Sequence, residues 1–368
     1  MWGRTRGRVV RRSRMVVVAA LVTSVAACTT STPPPAPAPE PAATTTSPTP
    51  LPTWSAGSKD RQPPAPPSWP LTGRVDEVDP RPALSIKVEN HAAARPQSGL
   101  EDADVVWEEL VEGGLTRFNA VYHSVVPDVV GPIRSVRPMD AAISGPYGGL
   151  LVFSGGQGPY IDMVRDVGLQ VIVDDEEDPG FFRSTDRVIP HNLYGRGEAF
   201  LEQADDDHSE PPGRQLRFAD DQATASAVAD GAPASRLDLS FPSTSPAWEW
   251  APAAGDGAGG WRREEFGRPQ SSADGDPLHA VNVVVLRVEV VMTGARDAAG
   301  APVPETILEG EGSALLATGG KVVEGTWTKE GALDPLRLQG EDGEDLLLAP
   351  GNTWIELVPV EDGAVSYR

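Results

Sequence analysis

Apolar and polar residues alternate along the middle of the chain with the period of a β-strand. Leu84, Ile86 and Val88 are separated by Ser85 and Lys87, which predicts a strand with one apolar face. Val105–Val111 and Leu115–Tyr122 are two β-rich runs joined at Gly113-Gly114, the pattern of a hairpin. Glu108, Glu109 and Leu110 are good helix formers, so a helix over 101–111 competes with the first run. Leu150–Phe153 predicts a strand and Ser154–Gly158 a loop. Pro159 then opens a helix to about Val167, because proline suits the first helical turn. Leu169–Val173 is the next predicted strand, and Arg196–Ala204 a further helix. Residues 71–205 therefore predict a mixed α/β domain.

Residues 206–235 are polar, acidic and Ala-rich, which predicts a linker or irregular segment. Beyond them the pattern changes to short apolar runs separated by Gly, Pro and Asp. The runs are Leu237–Phe241, Trp248–Trp250, Trp261–Phe266, Val281–Val291, Ala314–Ala317, Val322–Trp327, Leu346–Leu348 and Trp354–Val360. Many short strands with regular turns predict a β-rich domain over 236–368, with Ala253–Gly260 as a hairpin tip. The expected class is α+β: an N-terminal mixed α/β domain followed by a β-rich C-terminal one.

The start of the chain has a different character. Residues 1–27 hold six arginines (Arg4, Arg6, Arg8, Arg11, Arg12 and Arg14), no acid, and the apolar run Met15–Val22. A positive region, a short apolar region and small residues before a cleavage point make a secretory signal. Its apolar run is shorter than the roughly 20 residues a membrane span needs. Ending in Ala26-Ala27-Cys28, it resembles a bacterial lipobox. That resemblance implies cleavage before Cys28, diacylation of its thiol, and tethering outside the cytoplasmic membrane. Arg11-Arg12 hints at twin-arginine export, but the flanking residues match that signal poorly. Residues 28–70 continue as the lipidated cysteine and a linker, with 14 prolines among the 42 residues 29–70. Such a segment favours extended polyproline II and, at about 3.1 Å per residue, reaches on the order of 100 Å.

Cys28 is the sole cysteine, so no intrachain disulfide forms and no cysteine nucleophile remains after lipidation. The net charge is −22; without the signal, 25 basic residues face 53 acidic ones, a charge of −28. So acidic a chain repels phosphate backbones and anionic headgroups, which argues against nucleic acid as a partner and leaves the lipid as the membrane link.

Catalytic and metal motifs are sparse. There is no Gly-x-Ser-x-Gly elbow, no Ser-x-x-Lys pair and no His-x-x-x-His pair among His91, His123, His191, His208 and His279. No metal site or cofactor is therefore expected. Asp174–Asp178 lacks the spaced ligands of a calcium loop and reads as a solvated acidic loop, as does Asp205–Asp207. Ser154–Gly158 between a strand and a helix offers free N–H groups to an anion, or is simply a tight turn. Gly131-Pro-Ile-Arg-Ser-Val-Arg-Pro138 is the densest polar stretch. Arg134 and Arg137 there suit bidentate capture of a carboxylate or phosphate. Equally, they pair with the protein's own acids, for which Glu108, Glu109 and Glu112 are candidates.

Several segments in order carry a family resemblance. They are Lys87–His91, Ala94–Leu100, Glu112–Phe118, Gly131–Pro138, Ser184–Arg187 with Pro190–Tyr194, then Ala280–Val285, Gly325–Lys329 and Pro350–Glu356. In these the chain resembles the YerB-like lipoproteins, over essentially everything after the linker. The resemblance implies a lipoprotein of a Gram-positive envelope and carries over no activity.

Within those segments Asn90, Arg95, Gln97, Arg117, Arg134, Arg137, Asp186, His191 and Asn192 are polar and fall on predicted loops or strand ends, where pockets form. They are the candidate ligand-binding residues of one cleft, or else a self-satisfied buried network. Three functions follow. The first is a lipid-anchored module binding an anionic envelope ligand, such as a cell-wall polymer or another envelope protein. The second is a wall hydrolase using His191, Asp186 and Glu108. The third is a scaffold offering Trp248, Trp250, Trp261, Trp327 and Trp354 as a contact surface.

Overall fold

The computed structural model describes residues 67–253 and 259–368. The signal, Cys28 and the linker to residue 66 lie outside the described residues, as do residues 254–258 of the expected hairpin tip. The N-terminal half runs β1 (Leu84–Glu89), β2 (Val105–Leu110), β3 (Thr116–Tyr122), α1 (Asp140–Ser144), β4 (Leu150–Phe153), α2 (Gly158–Asp166), β5 (Gln170–Val173), β6 (Phe181–Arg183), β7 (Leu193–Gly195), α3 (Gly197–Leu201) and α4 (Ser226–Asp230). The remainder is strand: β8 (Ala232–Pro233), β9 (Arg236–Ser240), β10 (Pro246–Ala251), β11 (Gly260–Glu265), β12 (Arg268–Pro269), β13 (His279–Ala280), β14 (Asn282–Arg296), β15 (Pro302–Ile307), β16 (Gly310–Thr318), β17 (Lys321–Lys329), β18 (Arg337–Gln339), β19 (Thr353–Pro359) and β20 (Ala364–Tyr367).

The competition over residues 105–122 is decided for the hairpin. β2 and β3 pair antiparallel from Val105↔Val121 to Leu110↔Thr116. Gly113 and Gly114 turn the chain at φ 71° and 74°, a region glycine enters without a Cβ clash. The helix expected from Pro159 also forms, as α2, with Gln157 immediately before it and the proline in its first turn.

The protein is β-rich, built on a large mixed sheet. Its order is β18-β17-β16-β14-β19-β2-β3-β1-β4-β5, with β15 beside β14 and β8 beside β17. β19, near the end of the chain, lies parallel to both β14 and β2. Strands from both halves of the sequence thus share one sheet. Residues 206–235, expected as a linker, are tied to the C-terminal half: the Ala219 and Ser226 N–H groups donate to Leu348 and Leu347 carbonyls. Leu346–Leu348, expected as a strand, is instead an irregular segment held by those bonds and one isolated bridge from Phe218 to Leu348.

A second sheet, β12-β11-β10-β9-β20 with β13 on β11, packs on one face of the first. Leu237, Leu239, Trp248 and Trp261 from it join Ile86, Val88, Phe118 and Trp354 in one core. On the opposite face Val105, Trp107 and Val121 pack with Met139, Ile143 and Tyr147. The Trp107 Nε1–H donates to the Tyr147 hydroxyl at 2.9 Å, so the indole is buried without an orphaned donor. Covered on both sides, β1, β2, β3 and β19 are buried along their whole length. The alternation in β1 therefore does not mark a solvent face. Its polar positions, and those of β2 and β3, point into charged layers instead.

Candidate functional site

β1 ends in Glu89-Asn90-His91, and alternation sends Glu89 and Asn90 to opposite sides of the sheet. On the Asn90 side, the parallel register sets Glu108 of β2 directly beside Glu356 of β19. Like charges so placed repel. Arg263 of β11 lies between them: its guanidinium is 2.7 Å from Glu108 Oε2, 3.1 Å from Glu356 Oε1 and 3.4 Å from Glu265 Oε2. Trp248 Nε1–H donates to Glu356 Oε1 at 2.8 Å. The rings of Phe118, Trp248 and Trp354 stand 5.4, 5.5 and 5.3 Å from Arg263 Cζ, which adds cation–π attraction in a dry site. Burial, and then the Glu108 charge, push the Glu356 carboxyl well above the usual carboxylate range.

Asn90 closes this cluster. Its Nδ2–H donates to Glu108 Oε1 (3.1 Å) and to Thr116 Oγ1 (2.8 Å). Arg95 donates in turn to the Asn90 side chain (3.1 Å) and carbonyl (2.8 Å) and sits 3.5 Å from Glu265. Gln97 Nε2–H donates to the Glu89 carbonyl at 2.9 Å.

On the other side the sheet register lines up Glu89, Arg117 and Glu109 across β1, β3 and β2. Lys87, fully buried, pairs with Glu109 and with Asp140 Oδ1 at 2.7 Å. Asn119 Nδ2–H donates to Asp140 Oδ1 and Ser144 Oγ, both at 2.8 Å, which ties β3 to α1. Burial and the neighbouring Asp140 push the Glu109 carboxyl up to about 7, with Lys87 opposing. Arg137 grips Glu112 with both ends of its fork, at 2.6 and 2.7 Å. Arg117 donates to the Ser135 carbonyl at 3.0 Å and lies 3.9 Å from Glu112. Burial and the nearby Arg137 pull the Arg117 guanidinium down to about 10.

One corner of this side reaches solvent. Glu89 Oε2 lies 2.9 Å from His191 Nδ1, and Glu89 Oε1 lies 3.4 Å from Arg134 Nε. The Arg134 side chain is 25% exposed and that of His191 17%. The rings of His91 and His191 stack at 4.8 Å and 10°. Arg187 straps the loop before His191 to the segment after β1, donating to the Ala93 carbonyl at 2.9 Å and the Pro96 carbonyl at 2.5 Å. Val188 and Ile189, at the tip of that loop, are 75% and 73% exposed.

The expected single cleft is thus two joined clusters. Asn90 and Gln97 belong to the sealed one, with Arg95 at its partly exposed rim; Arg117 and Arg137 to the buried part of the other; Arg134 and His191 to its open corner. Arg95 and Gln97 also line a cavity of about 650 Å³ with Glu265, Phe266 and Gln270. Asp186 stands apart on the exposed loop. Asn192 fastens β6 to β7 through the Ser184 carbonyl (3.1 Å) and Arg183 (3.3 Å). The constellation His191, Asp186 and Glu108 is not assembled: His191 takes Glu89 as its carboxylate, and Glu108 is buried across the sheet against Arg263. The four tryptophans Trp248, Trp261, Trp327 and Trp354 are core residues and Trp250 is partly buried, so they offer no exposed contact surface. Around Gly155 the chain's own Asp175 carboxylate occupies the place of a Cβ, which explains the glycine as a tight turn. Asp174 and Glu176 pair with Arg183 (3.0 Å) and Arg165 (2.8 Å), and Asp178 accepts the Val173 N–H (2.7 Å).

Lys87, Glu89, Asp140, Arg263 and Glu356 were not among the residues the sequence marked as candidates. Glu89 lay directly before the marked Asn90. For Arg263 the available signal was its phase with Trp261 in β11, where Arg262 is exposed and Arg263 buried.

A β-rich chain built on one large mixed sheet is the class the fold defines, and two family models match it. They describe the N-terminal domain, over residues 71–210, and the C-terminal domain, over residues 237–355, of a protein of unknown function (DUF3048). The chain belongs to this family. YerB of Bacillus subtilis (strain 168), which its name describes as a candidate lipoprotein, is 29% identical over 309 residues, covering 80% of this chain and 87% of that protein. The crystal structure of YerB from Bacillus subtilis matches with a TM-score of 0.67 at 25% identity, covering 81% of this chain and 99% of that one.

Proposed function

We propose that the chain is a lipid-anchored binding module on the outer face of the cell membrane. Its recognition surface is the corner formed by Arg134, His91, His191 and the loop tip Val188-Ile189, and its ligand is an anionic envelope polymer or an acidic segment of an envelope protein. The observation that carries this reading is the contrast in exposure. Arg117 and Arg137 are spent on Glu112 and backbone, whereas Arg134 keeps a quarter of its side chain exposed, 3.5 Å from the carbonyl of Pro190, which directly follows two bare aliphatic residues. A guanidinium next to apolar surface suits a partner with an acidic group on a less polar frame. The anchor rests on the lipobox-like Cys28 and on the likeness to a lipoprotein. Among the described residues no helix is long and apolar enough to cross a membrane. The linker gives the module its reach.

The test is a thermal-shift screen of the full chain against wall polymers, muropeptides and nucleotides, with products followed by mass spectrometry. Stabilisation by an anionic wall component, lost in Arg134→Gln, is the expected result. Turnover of a component would replace the binding reading with a catalytic one.

A further inference from the structure

We propose that Glu89, His91 and His191 form a site for one divalent transition-metal ion of the zinc type. Each offers one ligand atom, and the three atoms lie within 4.8 Å of one another. Two imidazoles and a carboxylate are the donor set that zinc takes when a coordination position is left open. Metal–ligand bonds of about 2.0–2.2 Å place neighbouring ligand atoms of a tetrahedral site about 3.3 Å apart. Glu89 Oε2 and His191 Nδ1, 2.9 Å apart, already lie near that spacing.

His91 alone has to close in. It caps the short 3-10 turn Ala92–Ala94, half-buried, with its ring already close to parallel to that of His191. Its Nδ1 accepts the Ala93 N–H at 3.1 Å, an exposed contact that water replaces when the ring turns. The supporting shell is present. Glu89 turns its other oxygen to Arg134, which orients the carboxylate, and its backbone carbonyl accepts from Gln97, which holds the end of β1. Arg134 also sets the selectivity. A cation close to the carboxylate disfavours ions bound by charge alone, such as Mg²⁺, and leaves those whose affinity comes from imidazole nitrogen. The sequence offered no motif here because the ligands are a hundred residues apart, on the end of β1 and on the loop before β7. The site does not depend on the anionic ligand proposed above, and metal titration needs no such ligand.

The experiment titrates the full chain, freed of metal by a chelator, with Zn²⁺ against a chromophoric competitor, and in parallel with Mg²⁺. Uptake of one Zn²⁺ per chain, no competing uptake of Mg²⁺, and a loss of about tenfold or more in Zn²⁺ affinity in both His91→Ala and His191→Ala are expected. His208→Ala, which alters the exposed pair with Asp205, and Cys28→Ser should bind as the parent does. Visible d–d absorption of the Co²⁺ adduct gives a readout on the unaltered chain, independent of how the variants fold. Absence of stoichiometric Zn²⁺ uptake, absence of the Co²⁺ bands, unchanged affinity in both histidine variants, or loss of binding in Cys28→Ser would each overturn the proposal.

Discussion

The two charge clusters at the end of β1 use the same residue types to opposite ends. Around Arg263 the guanidinium and the three carboxylates it meets are sealed: with three aromatic rings they exclude water, and two layers of sheet are joined through them. Around Glu89 the pairs reach solvent, with the Arg134 side chain 25% exposed at 3.4 Å and a histidine pair beside it. A sealed ion pair contributes little net stability by existing, yet removing one partner strands the others in a dry site. A solvated pair loses little either way, because water takes the place of the missing partner. The difference separates residues that hold the fold from residues free to meet a ligand.

The largest expected effect tests the sealed side. Arg263→Met should cost about 3–5 kcal/mol of unfolding free energy, since it leaves Glu108 and Glu356 side by side without a cation. Adding Glu356→Gln to Arg263→Met should recover part of that loss in urea unfolding. Arg137→Met, which leaves Glu112 only the more distant Arg117, should cost on the order of 2–4 kcal/mol by the same measurement, placing it with the sealed side although its sequence motif also contains Arg134.

A pH experiment sharpens the comparison. The Glu109 carboxyl rises from 4.5 in the unfolded chain to about 7 in the folded one. Between those values the folded protein holds a proton that the unfolded chain has released, so this contribution to stability is full below about pH 4.5 and is lost as pH climbs through 7. Glu109→Gln mimics the protonated form and cannot lose it. The stability difference between Glu109→Gln and the parent should therefore shift by roughly 2–3 kcal/mol in favour of the variant from pH 4.5 to pH 8. His123, pulled down to about 4 chiefly by burial, titrates in the opposite sense but cancels in that difference. The smallest effect belongs to the open corner: Val188→Ser with Ile189→Ser should move stability by no more than about 0.5 kcal/mol while weakening ligand binding.

Much of this was legible in the sequence, and the rest was hidden for a physical reason. The hairpin at Gly113-Gly114, the strand Leu150–Phe153 and the helix opened by Pro159 follow from local pattern and turn chemistry. Of the polar motif residues, Asn90, Arg95, Gln97, Arg117, Arg134, Arg137 and His191 lie around the end of β1, and Asp186 and Asn192 do not. What the pattern could not reveal was which side of them is dry. Lys87 in β1 alternates with apolar neighbours as a solvated lysine would, and only the position of Glu109 and Asp140 shows it buried. Arg263 and Glu356 meet Glu108 across long stretches of chain, through a register that no local signal encodes. Leu346–Leu348 has the composition of a strand but lies where residues 206–235 cross over it.

Urea unfolding of Arg263→Met and Arg134→Gln, measured side by side with the parent, tests the division most directly. The expected result is a loss of several kcal/mol for Arg263→Met and less than about 1 kcal/mol for Arg134→Gln. Equal losses in the two variants would contradict it.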